Sequence, residues 1–184
     1  HPPKSLPRRF IAAEGVAQHS GEILPLAEMV ALKEKYKYRL ILDDTFGLGV
    51  LGATGRGTHE HHGVDFEDID MYTANLDASM ASVGGICVGD QVMVQHQRIA
   101  GLGYCYSASS PPFVCVNATS ALAMVDEEPE RREKVLANST RLRKALKKCD
   151  KLFTVSGAPN TPIMMVSPIN ARSMTDEELT TYIA

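Results

Sequence analysis

The sequence predicts an α/β fold in which a mostly parallel sheet flanked by helices runs into a smaller α+β domain and is cut short. Three observations predict it. Two apolar runs, Phe10 to Val16 and Arg39-Leu40-Ile41-Leu42-Asp43-Asp44, bracket a helix-spaced apolar set with only short connections between them, and strand–helix–strand at that spacing is how parallel sheets are written. Two more strand-like runs follow at Asp70 to Ala74 and Gly85 to Val88. The chain then makes two long helices before strands resume.

Each element has a local reason. Leu26, Ala27, Val30, Ala31 and Leu32 share one helical face, and Pro25 sits where a proline starts a helix. Asp90 is placed to cap a helix running to Ile99. Pro111-Pro112 opens a long helix to about Asp126, and a strongly charged one runs from Pro129 to Lys148. Leu152 to Val155 and Ile163 to Val166 read as strands joined by the loop from Ser156 to Pro162. Thr175 and Glu178 form a capping box for a last helix. The expected division is a polar, disordered lead over 1–9, part of a large domain over 10–125, and the start of a small domain over 126–184. Both ends read as those of a fragment. A half-sheet of this kind is expected to leave apolar faces uncovered and to be poorly stable alone.

Composition narrows the function classes. Of 184 residues, 44% are hydrophobic and 22% charged, values of a globular chain rather than a disordered or fibrous one. Nineteen basic against twenty-two acidic residues argue against a nucleic-acid-binding surface, which shows as a basic excess. No apolar run approaches the roughly 20 residues that span a bilayer, and no signal peptide is visible. Cys87, Cys105, Cys115 and Cys149 are scattered without metal-ligand spacing and read as buried small apolar residues.

Four features bear on chemistry. Asp43-Asp44 ends a predicted parallel strand and leads into a segment with five glycines, Gly47 to Gly57; ligands sit at that edge of open α/β sheets. There Asp43 is placed to pair with a protonated ring nitrogen, and Arg56 to meet a carboxylate or phosphate; the alternative is a long turn whose glycines serve only chain geometry. His59-Glu60-His61-His62 invites a metal reading, but adjacent residues do not share a helix face, so a solvated turn is expected and no metal. Ser107, Ser109 and Ser110 precede the Pro-started helix, as a phosphate site or as simple N-caps. Last, no lysine occurs between Lys37 and Lys134, and Schiff-base chemistry at this sheet needs one.

Together these features resemble the α-oxoamine synthases, pyridoxal-phosphate enzymes of fold type I. Asp43-Asp44-Thr45-Phe46-Gly47 through Gly55-Arg56-Gly57 is similar to that family's D-E-A-H-S-x-G-V-x-G-x-x-G-R-G segment, and Tyr106 to Pro112 to its F-[ST]-x-[AS]-x-P-P segment. The family's T-L-S-K-A-x-G-x-x-G-G stretch corresponds to Asn75 through Gly85, which puts Ala78 at the position of the cofactor lysine. Phe46 stands where the family has a histidine that partners the cofactor ring. An alanine forms no imine, so no catalytic residue is assigned to this chain.

Within the family, this pattern resembles the non-catalytic subunit of a heteromeric member. The resemblance implies that pyridoxal phosphate is held by a lysine-bearing partner, subunit 2 of the complex. It implies that L-serine and palmitoyl-CoA condense with loss of carbon dioxide to 3-ketosphinganine at the shared interface. It also implies that Ser107, with Ser109 in the same loop, reaches the partner's cofactor phosphate. Asp43 keeps a family position, vestigial or part of a local hydrogen-bond network. The implied location is the cytosolic side of the endoplasmic reticulum membrane, anchored through regions outside this sequence. Two alternatives stay open: a regulatory or scaffold pseudoenzyme of the same fold, and an active homodimeric synthase using another lysine.

Overall fold

The computed structural model describes residues 9–170 and 173–183; most of the expected polar lead lies outside these. The strands and helices follow the predicted order: β1 (Phe10–Glu14), α1 (Leu26–Tyr36), β2 (Arg39–Asp43), α2 (Thr58–His62), β3 (Met71–Asn75), β4 (Gly85–Gly89), α3 (Gln91–Ala100), α4 (Leu102–Cys105), α5 (Pro112–Glu127), α6 (Pro129–Leu146), β5 (Phe153–Ser156), β6 (Met165–Pro168) and α7 (Asp176–Ile183). The first four strands form one sheet in chain order, and β5–β6 form a second.

β1, β2 and β3 are parallel, with Ala12 opposite Ile41 and Ile41 opposite Met71. The helix α1 makes the first crossover, as a parallel pair requires. β4 instead runs antiparallel to β3, because only the short segment 76–84 separates them and a parallel return needs a longer crossover. β1 ends two residues before its predicted limit. A side chain on Gly15 would overlap the Asp44 carboxylate and Thr58, and Val16 leaves the ladder to bridge Ile23.

Period-two alternation turns Leu40 and Leu42 inward, where they pack with Leu26, Ile69, Tyr72 and Ala74. A second cluster, Leu76, Met80, Val114 and Ala118, joins the turn after β3 to α5. Buried Lys33 on α1 pairs with Asp70 at 3.0 Å and donates to the Asp68 carbonyl. Asp70 also accepts the Leu40 amide at 2.8 Å, so one carboxylate ties α1, β2 and the approach to β3 together.

The helix boundaries follow their caps. Asp90 accepts the Val92 amide at 3.0 Å, and Thr175 and Glu178 close the expected capping box. The β5–β6 turn hangs on one side chain: the Arg143 guanidinium donates to the carbonyls of Ser156, Gly157, Ala158 and Ile163. That use of Ile163 helps explain why β6 begins at Met165 rather than at the predicted Ile163. Thr161 then bonds the Gly21 carbonyl, docking this turn against the segment after β1.

The cysteine reading needs correction. Cys105, Cys115 and Cys149 are exposed free thiols and Cys87 is half-buried. Cys105 and Cys115 lie on a face, α3 to α5, that also exposes Ile99, Leu102, Tyr106, Phe113 and Val116, so small apolar character there does not mean burial. No helix among the described residues is long and apolar enough to cross a membrane.

Removing Asp70 strands a buried ammonium and an inward amide together. Asp70→Ala is therefore expected to cost about 3 kcal/mol, read as a drop in the urea midpoint at unchanged m-value, whereas Lys33→Met should cost much less.

Candidate functional site

The carboxylates of Asp43, the last residue of β2, and Asp44, the next, diverge because successive residues of extended chain face opposite sides. Asp43 faces a polar cavity of about 250 Å³ and accepts the Thr45 amide at 3.0 Å. Thr45 in turn accepts the Asn75 amide, joining the ends of β2 and β3. Phe46 and Ala78 line the same cavity, so three of the positions singled out in the sequence meet at one place. Glu14 and Asp77 line it too.

Asp44 points the other way and is fully buried. It receives the Thr58 amide at 2.7 Å, the Thr58 hydroxyl and the Tyr72 hydroxyl at 3.1 Å. Side chains at Gly15, Gly47 or Gly57 would each collide with this carboxylate, which is the structural reason for glycine there. Burial pushes the Asp44 carboxyl up to about 6 against the opposing pull of the Thr58 and Tyr72 hydrogen bonds. Burial, with Asp44 beside it, lifts the Tyr72 hydroxyl well above the usual phenol range. Sequence reading took Asp44 only as the end of a strand; its parity with Leu40 and Leu42 is the signal that places it inside.

The glycine-rich segment is a closed loop. Gly49, Gly52, Gly55 and Gly57 all take positive φ, a region that glycine enters without steric cost. Glu60 holds the loop's far side, accepting the Thr54 amide and hydroxyl and the Arg56 amide. Burial raises the Glu60 carboxyl, but these bonds outweigh it and hold it below its ordinary value. Arg56 thus meets a carboxylate through its backbone amide. The expected solvated turn at 59–62 is corrected: these residues belong to α2, and His59 packs edge-on against Phe66, centroids 5.1 Å apart. Burial holds His59 below its usual range.

The loop wall is shared with a second, larger groove. Phe46, Val50, Ala78, Met80, Met124 and Val125 bound a cavity of about 620 Å³, with Arg131 and Arg132 also among its lining. Ala81 lies at this groove in the left-handed region, φ 46, in a turn where Asn117 on α5 donates to its carbonyl at 3.0 Å. This strained position was not found from the sequence, although the corresponding residue of the quoted motif is glycine.

Ser107 and Ser109 lie apart from both cavities, exposed on the loop between α4 and α5, where Ser107 bonds only the neighbouring Ala108 carbonyl. Neither Ser109 nor Ser110 caps α5. Pro111 holds the cap position with no side-chain bond, because Pro112 at the first helical position already removes an orphan N–H.

Pyridoxal phosphate can be tested against these linings. Neither cavity offers an amine, and the smaller one adds three carboxylates and no cation. Without an amine, neither cavity among the described residues fits a covalently held cofactor, and the smaller one does not suit a phosphate.

The model of the "Aminotransferase class I and II" family matches residues 1–183. Serine palmitoyltransferase 1 of Dictyostelium discoideum is 38% identical over 169 residues, 90% of this chain and 35% of that protein. Long chain base biosynthesis protein 1 of Arabidopsis thaliana is 45% identical over 139 residues, 76% of this chain and 29% of that protein. The chain thus spans about a third of the length of these curated relatives. Among solved structures, Sphingomonas wittichii serine palmitoyltransferase superposes with a TM-score of 0.78 at 29% identity, covering 86% of this chain and 39% of that one. A serine palmitoyltransferase variant from S. paucimobilis with bound PLP–myriocin gives 0.81 at 29% identity, over 93% and 42% of the two chains.

The left-handed alanine makes a direct test of local strain. Ala81→Gly is expected to raise stability by about 1 kcal/mol, measured by thermal or urea unfolding, since the Asn117 bond goes to the backbone and survives the change.

Proposed function

The chain belongs to the class I and II aminotransferase family, and from that premise we propose that it serves as a non-catalytic subunit of a heteromeric serine palmitoyltransferase. The observation that carries this is the pairing of two facts. The chain is 36% to 45% identical to proteins named serine palmitoyltransferase 1 or long chain base biosynthesis protein 1. It also has Ala78 where the related motif carries lysine, with no lysine from residue 38 to 133. In this reading a lysine-bearing subunit 2 holds pyridoxal phosphate and condenses L-serine with palmitoyl-CoA to 3-ketosphinganine, at the cytosolic face of the endoplasmic reticulum membrane.

This chain's part is then architectural, with a few groups given in trans. Ser107 donates its hydroxyl to the partner's cofactor phosphate, and Ser109 shapes the same loop. Their exposure, away from the chain's own cavities, supports a role directed outward. Asp43 keeps the family position but is engaged with the Thr45 amide, which favours a local structural role over a chemical one. The large domain over 10–125 carries the partner-facing loop, and the region from 126 onward begins the smaller domain.

Two experiments test the reading. The full reading frame, mixed alone with pyridoxal phosphate, is expected to show only the free cofactor's absorption; activity is expected only on co-expression with the lysine-bearing subunit. A bound-cofactor absorption band from the chain alone would end the proposal in favour of a self-sufficient synthase. In the co-expressed complex, Ser107→Ala removes one hydrogen bond to a charged phosphate and is expected to weaken cofactor binding roughly tenfold or more. Unchanged cofactor affinity and activity would instead favour a scaffold that only borrows the fold.

A further inference from the structure

We infer that the Asp44 carboxylate is a proton-operated latch, holding the glycine loop 45–57 shut against the sheet and gripping it more tightly on acidification. The geometry carries it first. Both ends of the loop meet at this one group: Asp44 directly follows β2, and Thr58, fourteen residues later, gives it an amide and a hydroxyl at the start of α2. Tyr72 adds a third donor from β3. Glycines at 15, 47 and 57 close around the carboxylate so tightly that no side chain fits. The loop's Phe46 is a wall of both cavities, so opening the latch changes both together.

No cation offsets the charge. Tyr72 on β3 is the ionisable group that bonds Asp44, and Asp43 adds a nearby like charge from the opposite face of the strand line, where it shares the polar cavity with Glu14; on α2 and just ahead of it stand His59, Glu60 and Arg56. Glu60 is committed to Thr54 and Arg56 amides, the His59 ring packs on Phe66 and Tyr72, and no ammonium or guanidinium bonds Asp44 among the described residues. A buried carboxylate without a counter-ion is costly, whereas two of its three partners are hydroxyls, which can turn and accept a hydrogen bond instead of giving one. Proton uptake therefore removes the charge without dismantling the staple.

The sign follows from linkage. With the loop closed, Asp44 takes its proton near 6; released into water it returns to 3.8. Closure therefore binds a proton between these values, and opening becomes about tenfold rarer as pH falls from 7 to 5. Above about pH 7 the contribution is flat.

Hydrogen exchange by mass spectrometry on the protein expressed from its full reading frame, corrected for intrinsic exchange rates, reads this directly. The loop amides of Gly49, Gly57 and Thr58 are expected to gain about tenfold protection from pH 7 to 5. Asp44→Asn should abolish that slope, and His59→Gln should leave it. Thr58→Val, which deletes one donor and keeps the buried volume, should retain the slope with its midpoint moved to higher pH; this variant decides the matter where Asp44→Asn does not fold. A flat wild-type profile, a slope surviving in Asp44→Asn, its loss in His59→Gln, or an unmoved midpoint in Thr58→Val would each overturn the latch.

Discussion

Everything near the sheet's ligand edge is arranged around one buried negative charge. The Asp44 carboxylate fixes the end of β2, the first turn of α2 and the inner face of β3 with three hydrogen bonds, and it dictates glycine at three positions far apart in the chain. A charge in that place is expensive to bury, so the surroundings are over-determined: donors converge, side chains are excluded, and the loop's course is set. The glycine loop is thus rigid for a reason other than ligand binding, and the choice between chain geometry and a ligand-cradling loop resolves toward geometry at Gly47 and Gly57.

The neighbouring cavity shows the opposite logic. Asp43, one residue earlier, faces a small polar space that it shares with Glu14 and Asp77. Three carboxylates with no amine or guanidinium among the lining residues describe a place suited to repelling a phosphate rather than holding one. Phe46 and Ala78 substitute an apolar ring and a methyl group where the related motifs carry histidine and lysine, and both substitutions fall on the wall common to the two cavities.

What was legible in the sequence is what local chemistry decides. The strand–helix–strand opening, the Pro-started helices, the Asp90 cap and the Thr175–Glu178 box all follow from short-range rules and appear where the residues put them. The inward position of Asp44 was legible too, through its parity with Leu40 and Leu42, but a carboxylate at a strand end draws attention to the crevice rather than to the core. The direction of β4 turned on the shortness of the segment before it. The partial burial of His59 and the exposure of Cys105 and Cys115 depend on what packs against them from elements elsewhere in the chain, which no local pattern encodes, whereas the strain at Ala81 had a signal in the glycine of the quoted motif. The four cysteines misled because low polarity predicts burial only where a core is there to receive them.

The Arg143 side chain has a consequence for the order in which the chain assembles. Its four carbonyl partners lie only thirteen to twenty residues ahead of it, so α6 and the β5–β6 turn close on each other at small loop-entropy cost. Thr161 reaches Gly21 across a separation of 140 residues, a contact that rewards the chain only after a far larger loop has been closed. Local contacts form fast and distant ones slowly. On entropy alone, the arginine's turn is the less costly of the two closures and favours an order in which the turn is shaped before it is docked.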